Sequence, residues 1–123
     1  MLQRGSLLEI IDNTGAKEGK CICVLEGFFN KSASAGSLIV LSIRKLRLIR
    51  RVKVGQIFLA VVVKTRAWAS SKDGVYSKFN KNCAILLSRK KQIFGSKIFG
   101  SVSRNLRKKK YLRILLVSGS TYF

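Results

Sequence analysis

Apolar residues recur along this chain in short runs divided by polar turns, and the runs are the length of strands. Leu7 to Ile11 predicts a first strand, closed by Asp12-Asn13-Thr14-Gly15. Asp and Asn bond their own backbone and Gly accepts φ > 0, so this cluster reads as a plain turn. Cys21 to Leu25 predicts a second strand, ended by Glu26-Gly27, and Leu38 to Ile43 a third. Val54-Gly55 then turns into Ile57 to Val63, the longest apolar strand, and Ala84 to Leu87 forms another. Between these two stands Asp73-Gly74, a dipeptide suited to tight hairpins. The pattern is that of a mainly β chain. Residues 28 to 37 read as a flexible loop. Phe28 and Phe29 are adjacent there, so at most one points into a core; the other packs under the loop or stacks on a base. Residues 93 to 102 read as an ordered loop with Ile98 and Phe99 tucked inward. Ser103 is placed to cap a short helix through Lys110. Leu112 to Val117 is a strand or a short helix; pattern alone does not decide. Ser118 to Phe123 reads as a tail.

At 123 residues the chain is expected to form one domain, 1–123, with its hairpin about 64–81 and a helical part about 103–117. Charge changes the picture more than length does. Lys and Arg number 25 against 5 acids, a net of +20. Residues 1–26 carry a net of −1 and residues 27–123 a net of +21. An ordinary small soluble domain has a net charge of magnitude about 2 to 8, and a surface this basic repels itself unless a polyanion neutralises it. The cations fall in three regions. The densest is Arg44-Lys45-Leu46-Arg47-Leu48-Ile49-Arg50-Arg51-Val52-Lys53, and no acid is expected nearby to pair with these charges. Lys64, Arg66, Lys72, Lys78 and Lys81 lie on the hairpin, followed by Arg89, Lys90 and Lys91. The third region holds Lys97, Arg104, Arg107, Lys108 and Arg113. Like charges crowded into a helix after Ser103 destabilise it unless an anion is present. Trp68 and Tyr76 stand on opposite arms of the hairpin, either as a cross-strand pair or with one ring stacked on nucleic acid.

The chain offers little to catalysis. It has no His to move protons at neutral pH. Glu9 and Asp12 are the closest pair of acids, and no phosphate loop or nucleophile elbow is present. Neither an enzyme nor a cofactor is expected. Cys21 and Cys23 are two apart, which on a strand puts them on one face. With only Cys83 besides, they read as reduced core residues rather than a metal site. The apolar runs are too short for a helix to cross a bilayer, and no membrane partner is expected. A cationic membrane-surface protein would want one amphipathic helix rather than dispersed basic loops.

The spacing also carries a resemblance. Ala60 followed by three aliphatic residues, then Asp73-Gly74, Phe79, Asn82 and Ile85-Leu86, resembles the signature of the universal large-subunit ribosomal protein fourteen family. Asp12 to Ala16, Lys53-Val54-Gly55, Gly95 to Gly100, Arg104 and Leu106-Arg107 follow in the family's order, so the likeness covers essentially the whole chain. Ile85 stands where the family usually has Val, and Leu48 and Arg50 stand where it has Pro and Gly. The resemblance implies a small closed β-barrel of about five strands with a projecting hairpin and short C-terminal helices. It implies a structural protein of the large ribosomal subunit. Its Lys and Arg would contact large-subunit rRNA phosphates at Arg44, Lys45, Arg47, Arg50, Arg51, Lys53, Lys64, Arg66, Lys72, Lys78, Lys81, Arg89, Lys90, Lys91, Arg104, Arg107 and Lys108. Arg44, Lys45, Arg47, Ser96, Lys97 and Arg113 would face small-subunit rRNA, or a ribosome silencing factor that blocks subunit joining. A neighbouring large-subunit protein would pack on the barrel. A free-standing basic DNA- or RNA-binding module, such as a nucleoid protein, is the alternative. The family-like sequence begins almost at Met1, so no transit peptide is expected before it. The absence of Pro and the abundance of Ile, Phe, Lys, Ser and Asn point to a drifted organellar gene, mitochondrial before plastid or bacterial.

Overall fold

In the computed structural model, residues 2–25, 32–48, 51–70, 74, 76–103, 106, 111–118 and 121–122 are described. The strands in chain order are β1 (Leu2–Gln3), β2 (Leu7–Ile10), β3 (Ala16–Val24), β4 (Ser32–Ala33), β5 (Leu38–Leu46), β6 (Ile57–Lys64), β7 (Ala69–Ser70), β8 (Tyr76–Ser77), β9 (Cys83–Leu87) and β10 (Val102–Ser103). A helix, α1 (Leu112–Ser118), and a last strand, β11 (Thr121–Tyr122), complete the described elements. Five strands close into a barrel in the order β2-β3-β5-β6-β9. All its pairings are antiparallel except β2 with β9, where Glu9 faces Cys83 and Ile10 faces Ala84. The expected five-stranded barrel is therefore present.

Side-chain alternation explains why the strands read as unbroken apolar runs. One set of alternate residues fills the barrel: Leu8, Ile10, Cys21, Ile39, Leu41, Ile43, Ala60, Val62, Ala84 and Leu86. The intervening residues Val61, Val63, Cys83, Ile85 and Leu87 point outward into a second cluster with Ile98, Val102, Leu106 and Ile114. Both faces of β6 and β9 are thus covered, so neither strand needs polar positions. Each fully buried Leu, Ile or Val contributes roughly 1.5–3 kcal/mol relative to exposure.

Several elements differ from expectation. β3 starts at Ala16, five residues before the apolar run, because only Ala16, Gly19 and Cys21 of its first six residues are buried. Cys21 pairs with Leu41 but Cys23 with Val40, a bulge that breaks their shared face. Cys21 is buried and Cys23 half-buried. β5 runs three residues beyond Ile43, carrying Arg44 and Lys45 into the sheet. Residues 32–37 are not a loose loop. β4 pairs with β1, the Gly36 amide donates to Val62 O at 2.7 Å, and Ala33 and Ala35 are buried. Ser103 lies in β10, parallel to β11. Leu106 sits in a 3-10 turn, and the rest of the helix expected through Lys110 lies outside the described residues. The segment from Leu112 resolves to helix. Phe28 and Phe29 lie outside the described residues.

Candidate nucleic-acid interface

The register of the barrel decides which cations share an end. β5 finishes beside the start of β6, since Ser42 faces Ile57. β9 finishes at the same level, Leu87 facing Leu59, and β2 runs parallel to β9. One end therefore gathers the 11–15 turn, the 44–56 loop and the 88–97 segment. Arg44, Lys45, Arg47, Arg51, Lys53, Arg89, Lys90, Lys91, Ser96 and Lys97 all belong there. The hairpin, with Lys64, Arg66, Lys78 and Lys81, leaves from the opposite end. Arg113 is exposed on α1, whose Ile114 packs in the outer cluster. Arg50, Lys72, Arg104, Arg107 and Lys108 lie outside the described residues.

The first end is built on the Asp12–Gly15 turn. The carboxylate of Asp12 is fully buried. Its Oδ1 accepts from the Thr14 hydroxyl at 2.6 Å and the Thr14 amide at 3.3 Å, and its Oδ2 accepts from the Leu86 amide at 3.0 Å. Burial pushes its pKa up, against the opposing pull of these bonds and of Arg47. Far from being a plain turn, the cluster ties the end of β2 to β9. It also rules Asp12 out as a free partner for Glu9, which is ion-paired with Lys81 at 3.2 Å.

Asn13 performs the next step. Its Oδ1 accepts from the Ser96 and Lys97 amides at 2.9 and 3.2 Å, and its Nδ2 donates to the Ser96 hydroxyl at 2.8 Å. A Cβ on Gly95 would stand 2.7 Å from Asn13 Oδ1, so only Gly lets this segment approach the turn so closely. The basic loop is clipped to the same turn at two points: the Arg47 amide donates to Gly15 O at 2.7 Å and the Arg51 amide to Thr14 O at 2.8 Å. Arg47 is half-buried. Its guanidinium donates to Ile10 O at 3.2 Å and lies 5.6 Å from the Phe99 ring centroid. Phe99 is exposed, contrary to expectation, while Ile98 is buried as expected. Leu48, where Pro was expected, projects fully into solvent. The two clips hold Arg47 and Arg51 to the turn, on either side of residues 49–50, which lie outside the described residues. An open basin of about 1280 Å³ lies between Asn13, Lys17, Arg47, Leu48, Arg51 and Phe99.

Pairing corrects one expectation about the basic block. Glu18 faces Lys45 across β3 and β5, and their charges meet at 3.4 Å. Lys45 and Lys81 are each already paired with an acid, whereas Arg44, Arg51 and Lys53 are exposed.

At the other end, Asn82 Oδ1 accepts from the Arg66 amide at 2.8 Å and the Phe79 amide donates to Thr65 O at 3.1 Å, pinning the hairpin's root. Gly74 has φ 77°, in the left-handed region that favours Gly, and Asp73 lies outside the described residues. Ala69 faces Ser77, so Lys78 rather than Tyr76 stands opposite Trp68. Lys78 Nζ lies 5.7 Å from the Trp68 ring centroid, and Lys64 Nζ 6.0 Å from that of Phe79. Burial raises the thiol pKa of Cys21 and of Cys83. Among the described residues no three His, Cys, Asp or Glu side chains converge as a metal site would.

Sequence reasoning missed Asp12 and Asn13 as organisers of the interface. The only local signal was their place in the Asp-Asn-Thr-Gly turn. A family model described as ribosomal protein L14p/L23e matches residues 1–122.

Proposed function

This chain belongs to the ribosomal protein L14p/L23e family, and from that membership we propose that its turn-centred basic end meets small-subunit rRNA across the subunit interface. Membership makes it a structural constituent of the large ribosomal subunit that binds rRNA, in a family that is structural rather than catalytic. In the finer reading, Arg44, Lys45, Arg47 and Arg51, with Ser96 and Lys97, form the bridge-facing surface. Arg113 joins them from α1. The observation that carries this is the double clip of the 44–51 loop to the Thr14-Gly15 turn, with Asn13 holding Ser96 and Lys97 to the same turn. Three distant segments are thereby fixed as one surface, and Arg or Lys on a rigid base reads phosphate position and RNA shape. The hairpin cations and Arg89 to Lys91, with Lys53, contact large-subunit rRNA. A ribosome silencing factor on Ser96, Lys97 and Arg113 would occlude the bridge. The apolar groove of about 450 Å³ lined by Val40, Ile57, Phe58, Leu59 and Phe94 supports a neighbouring large-subunit protein as its occupant. The Pro-free, drifted composition supports a mitochondrial ribosome over a plastid or bacterial one.

Pelleting through a sucrose cushion at moderate salt should carry the protein with the large subunit. Retention on DNA after subunits are removed would favour a nucleoid-type module instead. Replacing Arg50 and Arg51 with Ala should weaken subunit joining in gradients while the melting temperature changes little. Equal loss of both would make the block structural.

A further inference from the structure

We propose that the hairpin face bearing Trp68, Tyr76 and Lys78 is a stacking platform for an unpaired RNA base. The β7–β8 pairing ends at Ala69 and Ser77, and one residue beyond it Lys78 meets Trp68, while Tyr76 lies within β8. The Lys78 ammonium and the Trp68 ring meet directly, and Tyr76 is exposed on the adjoining strand. Trp68 is 68% exposed and Tyr76 67% exposed. Large rings usually bury their surface within a fold, and here two remain in solvent beside cations. Lys78 Nζ at 5.7 Å from the indole centroid adds charge at the platform itself. Arg66 precedes Trp68 by two residues at the hairpin's root. An exposed aromatic face with an ammonium beside it fits a base whose own face is free and whose phosphate meets that ammonium. Duplex RNA offers no such face, because its bases are already stacked. The surrounding positive charge favours a nucleotide over a protein surface as the occupant. The inference rests on the rRNA-binding reading and narrows one part of it to single-stranded RNA.

Trp68 is the chain's single tryptophan, so its emission reports on this site alone. The full-length protein would be titrated with a labelled adenylate-rich single strand and with a labelled duplex of equal length. Anisotropy follows binding and tryptophan emission follows stacking. Both RNAs should bind, and the single strand alone should quench the emission. Trp68→Ala should weaken single-strand binding about tenfold and leave duplex binding unchanged, with Trp68→Phe restoring most of the loss. Thermal melts of both variants check that the exposed position leaves the fold intact. Quenching by neither RNA, or an equal effect of Trp68→Ala on both, overturns the platform while rRNA binding stands. An emission silent to RNA but shifted blue by purified large-subunit proteins also overturns it, in favour of a protein contact. Failure of both RNAs to bind overturns the rRNA reading itself.

Discussion

Asp12 holds a carboxylate out of water where most acids of a basic protein would seek cations. Its three hydrogen bonds reach one local residue, Thr14, and one strand far along the chain, at Leu86. Asp12→Asn keeps an acceptor for Thr14 but turns an NH₂ toward the Leu86 amide, leaving a buried donor unmatched. A loss of about 1–3 kcal/mol is expected in denaturant melts. Its pH dependence is also fixed in sign. An acid whose folded pKa lies above its unfolded value binds its proton more tightly when folded, so its contribution to stability rises as pH falls. The melting gap between the native protein and Asp12→Asn should therefore widen on acidification toward the ordinary Asp range. A gap that narrows would show that Asp12 is favoured as the carboxylate. The turn was legible from its residue types. The bond to Leu86 was not, because a partner 74 positions away leaves no mark on local sequence.

Strands were legible where both faces are buried, as in β6 and β9, since continuous apolar runs have few other readings. They were truncated where one face is wet. β3 gains Ala16 to Lys20 and β5 gains Arg44 to Leu46, and of these Ala16 pairs with Leu46 and Glu18 with Lys45 across the sheet. The basic block therefore begins on a rigid strand and becomes a loop only after Leu46. The loops around it depend on the Asn13 contacts. Gly95→Ala would push a methyl group onto Asn13 Oδ1 and displace Ser96 and Lys97 from the turn. Faster hydrogen exchange at the Ser96 and Lys97 amides is expected, with the Leu41 and Val62 amides of the barrel unchanged. Exchange that quickens equally in the barrel would mean that Gly95 supports the whole fold.

Composition alone announced a polyanion partner, and the net charge of +20 leaves little room for another. It did not announce that the cations divide between two ends of a barrel, a consequence of register. The charge makes RNA affinity strongly salt-dependent, with log K falling by about 0.7–0.9 per neutralised phosphate for each unit of log salt. Removing Arg51 or Lys53 should flatten that slope by about one. Removing Lys45 or Lys81 should flatten it less, because Glu18 and Glu9 already partner them. Equal effects from all four would mean that the ion pairs do not survive in solution. The parallel pairing of β2 with β9 sets a condition on how the molecule is made. The earliest barrel strand waits for the last, so the cylinder closes only after about Leu87 has been synthesised, and closure joins segments some seventy positions apart. Such distant pairing is slow to nucleate. Until then the nascent chain carries its positive charge on an open sheet with two unpaired edges. That interval is when misfolding, or premature capture by any nearby polyanion, has its opening.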